Sequence, residues 1–240
     1  MDRNLRDNRR NFLVRTAVVS GALLVPSSRL ATHAFGQEAE KGKGHKDGGV
    51  SPAEDLMREH GALNRLLLIY DETLRRIENK QDVEIAVLAG AADIIRRFVE
   101  DYHEKLEEEY LFPRFRKAGK LVPLVDTLLQ QHQAGRRVTE LVRTLAVAAT
   151  LKDETKRQQL SAALRSFLRM YRPHEAREDT VLFPAFRGIV SPHEYDALGE
   201  QFEKKEDELF GEDGFFKVVD QIAGLEKQLG IYDLSQFSPH

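Results

Sequence analysis

His103-Glu104-Lys105-Leu106-Glu107-Glu108-Glu109-Tyr110-Leu111-Phe112-Pro113-Arg114-Phe115 returns 71 residues later as His174-Glu175-Ala176-Arg177-Glu178-Asp179-Thr180-Val181-Leu182-Phe183-Pro184-Ala185-Phe186. The two copies share His-Glu, a Glu four residues after the His, an acid at the fifth position, and Leu-Phe-Pro-x-Phe. Each copy follows a lone histidine: His60 stands 43 residues before His103, and His132 stands 42 before His174. Self-similarity at a fixed period marks a duplicated structural unit. On an α-helix, residues i and i+4 lie one turn apart on the same face, so each His/Glu pair aims at one spot.

Working outward from the repeat, the apolar periodicity predicts an all-α protein of four long helices joined by short links. The first runs from about 52 to 79, with Leu56, Leu63, Leu66, Leu67 and Tyr70 on its apolar side. The second runs from about 82 to 112 and carries Val83, Ala86, Val87, Ile94, Ile95 and Phe98. A third follows Pro123 to about 150, and a fourth runs from about 153 to 183, with Pro173 expected to kink it just before His174. Short links make sequential neighbours antiparallel, which predicts an up-down four-helix bundle. Two additional C-terminal helices, from about 192 to 210 and 214 to 229, complete the chain. Ser51-Pro52-Ala53-Glu54 is a helix start with Ser as N-cap, Pro in the first turn and Glu at N3, and Ser191-Pro192-His193-Glu194 repeats that grammar.

Helix rise brings the histidines level. His60 lies about 19 residues before its helix ends, roughly 29 Å, and His103 about 21 residues into the next, roughly 31 Å. His132 and His174 give nearly the same path out and back. Four imidazoles and two carboxylates therefore meet in one layer, a metal-binding constellation. The other four histidines, His33, His45, His193 and His240, have no partner at a meaningful spacing.

Composition narrows the chemistry. The 240 residues contain no cysteine, which excludes disulfides, thiolate metal sites and a cysteine nucleophile, leaving N and O ligands. The net charge of −3 gives no electrostatic reason for a nucleic-acid partner. The N-terminus reads as a targeting segment. Arg9-Arg10-Asn11-Phe12-Leu13 precedes an apolar run from Ala17 to Val25, too short for a membrane span of about 20 residues. The arginine pair resembles the twin-arginine export signal, although Asn8 and Val14 depart from its usual residues. Ala34-Phe35-Gly36 offers a cleavage site before Gln37, so residues 1–36 are expected to be a signal peptide and the mature protein periplasmic. If the leader does not function, the protein stays cytoplasmic. Without residues 1–36 the chain keeps 30 basic and 37 acidic residues, a net charge of −7. Residues 37–50, rich in Gly and Lys, form a flexible linker.

At this point the chain resembles the hemerythrin family, specifically the hemerythrin-like HHE cation-binding domains of bacteria. Their ligand order H…HxxxE…H…HxxxE is filled in sequence by His60, His103 with Glu107, His132, and His174 with Glu178. The resemblance covers residues 51–211, leaving 212–240 as a C-terminal helix and tail. It implies an antiparallel bundle holding two iron ions, Fe(II)/Fe(III), with the two carboxylates bridging them. Mn and Zn fit this mixed imidazole and carboxylate shell less well. Oxygen-carrying members have a further histidine where this chain has Arg136, and their last ligand is an Asp at the spacing of Asp179. Glu178 is favoured here because it mirrors Glu107, one turn from its histidine. Glu104, Glu175 and Asp179 remain further candidate ligands.

Two other metal folds fit poorly. The HExxH zinc-peptidase motif lacks its second histidine in both copies, and carboxylate-dominated ferritin-like sites use Glu-x-x-His. The expected function is a non-haem di-iron protein that binds or reacts with dioxygen, nitric oxide or hydrogen peroxide, with oxidase, peroxidase or nitric oxide reductase turnover as the enzymatic forms. The alternatives are an iron storage or sensor module without turnover, and an iron-centre repair type of protein. The repair type usually carries a cysteine-bearing N-terminal region that is missing here. No stable membrane span is expected. The leader carries its own test: changing Arg9 and Arg10 together to Lys should trap the precursor in the cytoplasm, and fractionation that finds normal export would rule out the twin-arginine route.

Overall fold

The computed structural model of the chain describes residues 50–239, and they are all-helical. The expected signal peptide, residues 1–36, most of the expected linker and His240 lie outside the described residues. Helix α1, Pro52–Glu78, starts at the expected capping box: Ser51 Oγ accepts from the Glu54 N–H, and Glu54 Oε2 accepts from the Ser51 N–H. Helix α2 spans 85–118 as one continuous helical run. It is built of Ile85–Ile94, a π-helical stretch Ile95–His103, a turn at Glu104–Leu106, a second π-helical stretch Glu107–Leu111, and Phe112–Ala118. It closes at Gly119, whose φ of +64° lets the chain turn back with the Lys120 N–H on the Phe115 carbonyl.

Helix α3 is Val122–Leu145, and the short α4 is Ala148–Lys152. Helix α5 spans 154–186 through Glu154–Arg177, a π-helical Glu178–Leu182 and Phe183–Phe186. Helices α6, Pro192–Phe210, and α7, Gly214–Leu229, follow, and a 3₁₀ turn at Leu234–Phe237 comes last. Helix α1 packs on α2 and α5, and α3 packs on the same two, so the four long helices close a ring. Helices α6 and α7 lie against each other and against α1, and α7 also reaches α2.

Differences from the sequence expectation are local and have causes. Both Leu-Phe-Pro segments continue their helices instead of ending them, so α2 reaches 118 rather than 112 and α5 reaches 186 rather than 183. Proline has no N–H and its ring clashes with the carbonyl four residues back. For Pro113 and Pro184 those carbonyls belong to Glu109 and Thr180, each in the middle of a π-helical stretch. The widened turn relieves the clash and lets the helix go on. By contrast, Pro173 sits within the α-helical Glu154–Arg177 part of α5, which runs on through it. Helix α3 stops at Leu145 rather than 150. Ser191 caps α6, but the Glu194 carboxylate accepts from Arg114 Nε instead of closing a capping box.

The expected apolar stripe of α1 is buried throughout, and Val87, Ile94, Ile95 and Phe98 are buried on α2, while Ala86 is exposed. Each such large side chain contributes roughly 1.5–3 kcal/mol by leaving water. Between α3 and α5 there is no room for a side chain at Gly135. A Cβ there would lie 2.2 Å from the buried Tyr171 hydroxyl. Gly135→Ala should therefore destabilise the fold by about 1–3 kcal/mol, the usual cost of overpacking. Thermal denaturation should show this, with partial recovery when Tyr171→Phe is added. An unchanged melting point for Gly135→Ala would mean that α3 and α5 are not packed in this register.

Candidate metal centre

Helix α1 brings His60, α2 brings His103 and Glu107, α3 brings His132, and α5 brings His174 and Glu178 into one buried layer. None of the six is more than 4% exposed, so water cannot solvate their polar atoms. His60, His103 and Glu107 offer donor atoms within 4.8 Å of one another, as do His132, His174 and Glu178. The two trios interlock through their carboxylates. Glu178 Oε2 lies 3.1 Å from His174 Nε2 and 3.4 Å from His60 Nε2. Glu107 Oε2 lies 3.3 Å from His132 Nε2 and 3.9 Å from His103 Nε2. Each carboxylate thus faces an imidazole of its own repeat and one of the other.

All four rings are held from behind at Nδ1, and the holding residues follow the repeat. The His60 Nδ1–H donates to Asp179 Oδ1 at 2.7 Å, and the His132 Nδ1–H to Glu108 Oε1 at 3.2 Å. The His103 Nδ1–H donates to Glu59 Oε2 at 2.6 Å, and the His174 Nδ1–H to Gln131 Oε1 at 2.8 Å. Carboxylate or amide partners of this kind set the tautomer and orientation of a metal-binding imidazole. They leave every Nε2 as an inward-facing lone pair. Phe183 stacks on His60 with centroids 5.4 Å apart, and Phe112 stacks on His132 at 5.5 Å. The repeated Leu-Phe-Pro segment supplies both walls.

These donors fit a pair of cations. Both oxygens of Glu107, both of Glu178 and Nε2 of His103 are buried without a hydrogen-bond partner. His132 Nε2 and His174 Nε2 stand 3.2 Å apart. Buried polar groups are nearly always partnered, and lone pairs that face one another need a positive charge between them. Without one, burial and then the Glu178 charge push the Glu107 carboxyl up to about 8. For Glu178, burial works the other way, but the His174 and His60 charges hold it well below the carboxylate range. A metal-free centre must thus take up protons where cations would otherwise sit.

The three further candidate ligands point elsewhere. Asp179 is occupied behind His60. Glu175 Oε2 accepts from Asn64 Nδ2 at 2.9 Å. Glu104 accepts from the Tyr171 hydroxyl at 2.6 Å and pairs with Arg136 Nη2 at 2.7 Å. Glu104, Glu108 and His132 are close enough to hold an ion themselves, but the Arg136 guanidinium already lies 2.7 and 2.8 Å from the two carboxylates. Arg136, where an oxygen carrier has a histidine, is tied into the wall of the site. His193 is exposed and apart from the centre.

The hemerythrin HHE cation-binding domain model matches residues 51–186 and, in a second overlapping match, 124–213. The chain belongs to this family. The two matches of the hemerythrin model start 73 residues apart, close to the period of the repeat. Among similar proteins are uncharacterized proteins of Mycobacterium tuberculosis and Mycobacterium bovis. Each is 44% identical over 237 residues, covering 96% of this chain and 91% of its own. No solved structure matches.

The geometry separates Glu178 from its neighbour. Glu178→Gln should lose bound metal, because it removes a charge shared between both trios. Asp179→Asn keeps an oxygen facing His60, so it should retain the metal with affinity weakened by at most about 10–100-fold. Metal analysis after dialysis separates the two. An empty Asp179→Asn beside a full Glu178→Gln would exchange their roles.

Proposed function

We propose that this protein is a di-iron protein of the hemerythrin family whose centre is held by His60, His103, Glu107, His132, His174 and Glu178, and that it binds or reduces a small oxidant. The observation that carries the reading is the shared reach of Glu107 and Glu178, each facing imidazoles of both repeats with no other partner. That disposition suits carboxylates bridging two ions. Iron is preferred because four imidazole nitrogens with two carboxylates suit Fe(II)/Fe(III) in both oxidation states. When bound, a redox-active ion pair supplies electrons and a Lewis-acidic position for dioxygen, nitric oxide or hydrogen peroxide.

The chain's own residues supply the setting. Glu59, Glu108, Gln131 and Asp179 orient the rings and make three of the four imidazoles stronger donors through carboxylate contacts. Phe112 and Phe183 exclude water from the imidazole faces. The ring of α1, α2, α3 and α5, with short links between them, supports an antiparallel up-down bundle as the scaffold. Such a bundle stands on its apolar core, so the metal is a passenger in folding terms. Export by the twin-arginine route belongs to the same proposal. It rests on the Arg9-Arg10 leader and suits a cofactor loaded before transport.

Two experiments test this reading. His103→Ala and His174→Ala should each lose most of the iron while far-ultraviolet circular dichroism stays helical. Two irons retained in either variant would sink the ligand set. For the ligand, the reduced protein should change its optical spectrum on adding dioxygen, nitric oxide or peroxide. A spectrum indifferent to all three would favour the storage or sensor reading instead.

A further inference from the structure

The residues that hold the four imidazoles from behind match in position between the two halves but not in charge. Glu59 and Gln131 stand in equivalent places, each one residue before a lone histidine, and accept from the Nδ1–H of His103 and His174 respectively. One is a carboxylate and the other an amide. Glu59 is 2% exposed, so water does little to screen its charge. Behind His174 the same hydrogen bond ends on a neutral oxygen.

The other two holding residues add to the difference. Asp179 accepts from His60 at 2.7 Å, and among the described residues neither it nor Glu59 pairs with an Arg or Lys. Glu108 stands farther from its ring, 3.2 Å from His132 Nδ1. The same Glu108 oxygen lies 2.8 Å from Arg136 Nη2, and its other oxygen takes the Lys105 ammonium at 2.5 Å. His60 and His103 thus rest on two carboxylates with no cation on them, whereas His132 and His174 rest on a neutralised carboxylate and an amide. A carboxylate on one imidazole nitrogen makes the other nitrogen a stronger donor, and changing such a partner typically costs 10–100-fold in metal affinity.

We infer that the two ion positions of the centre differ in strength: the His60/His103 position is the tight one, and the His132/His174 position is exchangeable, open to replacement by another divalent ion such as Zn²⁺. The inference rests on the di-iron reading and adds that the pair fills in order and comes apart one ion at a time. The ligands themselves repeat, so the distinction comes from the residues behind them. Glu59 and Gln131 are its positioning residues, and Gln131 is the one that leaves the second position weak.

Metal exchange tests it directly. The iron-loaded protein, reduced and kept free of oxygen, is challenged with a ferrous chelator and excess Zn²⁺, and both metals are counted over time. One iron per chain should leave at least about tenfold faster than the other, with one zinc taking its place. Gln131→Glu should slow the fast step by about tenfold or more, and Glu59→Gln should speed the slow step by a similar factor. Both changes keep size and shape, and better retention in Gln131→Glu is a result that mere loosening of the fold does not produce. Two irons leaving the parent at one rate would overturn the inference. So would a Gln131→Glu variant that holds its second iron no longer, or a Glu59→Gln variant whose slow iron stays. Fewer than two irons at the start would sink the di-iron reading itself, whereas two irons leaving together would sink this inference alone.

Discussion

Four imidazoles whose Nδ1–H groups all point outward leave their Nε2 lone pairs facing two carboxylates in a layer that water does not reach. That confrontation is the constraint on which the rest depends. In a low-dielectric interior, such groups demand positive charge, and the outward hydrogen bonds stop the rings from rotating away to find it. The core on either side of this layer is ordinary packed Leu, Ile and Phe, which is how the fold can tolerate an unfavourable layer.

The duplication organises the site more deeply than the donors alone. Asp179 and Glu108, each the residue after the repeated Glu, support the lone histidine of the opposite repeat. Glu59 and Gln131, each directly before a lone histidine, support the first residue of the repeated His-x3-Glu. The π-helical turns at Glu107–Leu111 and Glu178–Leu182 also recur, each ahead of a Leu-Phe-Pro proline. These features of one half therefore have their counterparts in the other, down to Phe112 and Phe183 on their imidazoles.

Much of this was legible in the sequence because it lay in spacing. The i+4 pairs, the level histidines and the capping box at Ser51 follow from helix geometry, and all reappear. What escaped was chemistry that spacing alone does not report. The acid at i+5 could be read as a repeated feature, but its use behind a histidine from another helix needs the packing. So did the role of Glu59, which looks like a surface residue beside His60 until α2 delivers His103 to it. Pro113 and Pro184 suggested helix ends, because a wide turn as a way past a proline is invisible to residue periodicity. Arg136 was legible as a departure. Its partners, Glu104 and Glu108, were not.

A Mössbauer spectrum, recorded at liquid-helium temperature on ferric protein loaded with the active iron isotope, tests the central claim most directly. Two ferric ions joined by Glu107 and Glu178 should couple to a diamagnetic ground state and give quadrupole doublets with no magnetic splitting, at two irons per chain. A magnetically split spectrum of isolated high-spin ferric ions would contradict the account, since the two trios would then not share their carboxylates.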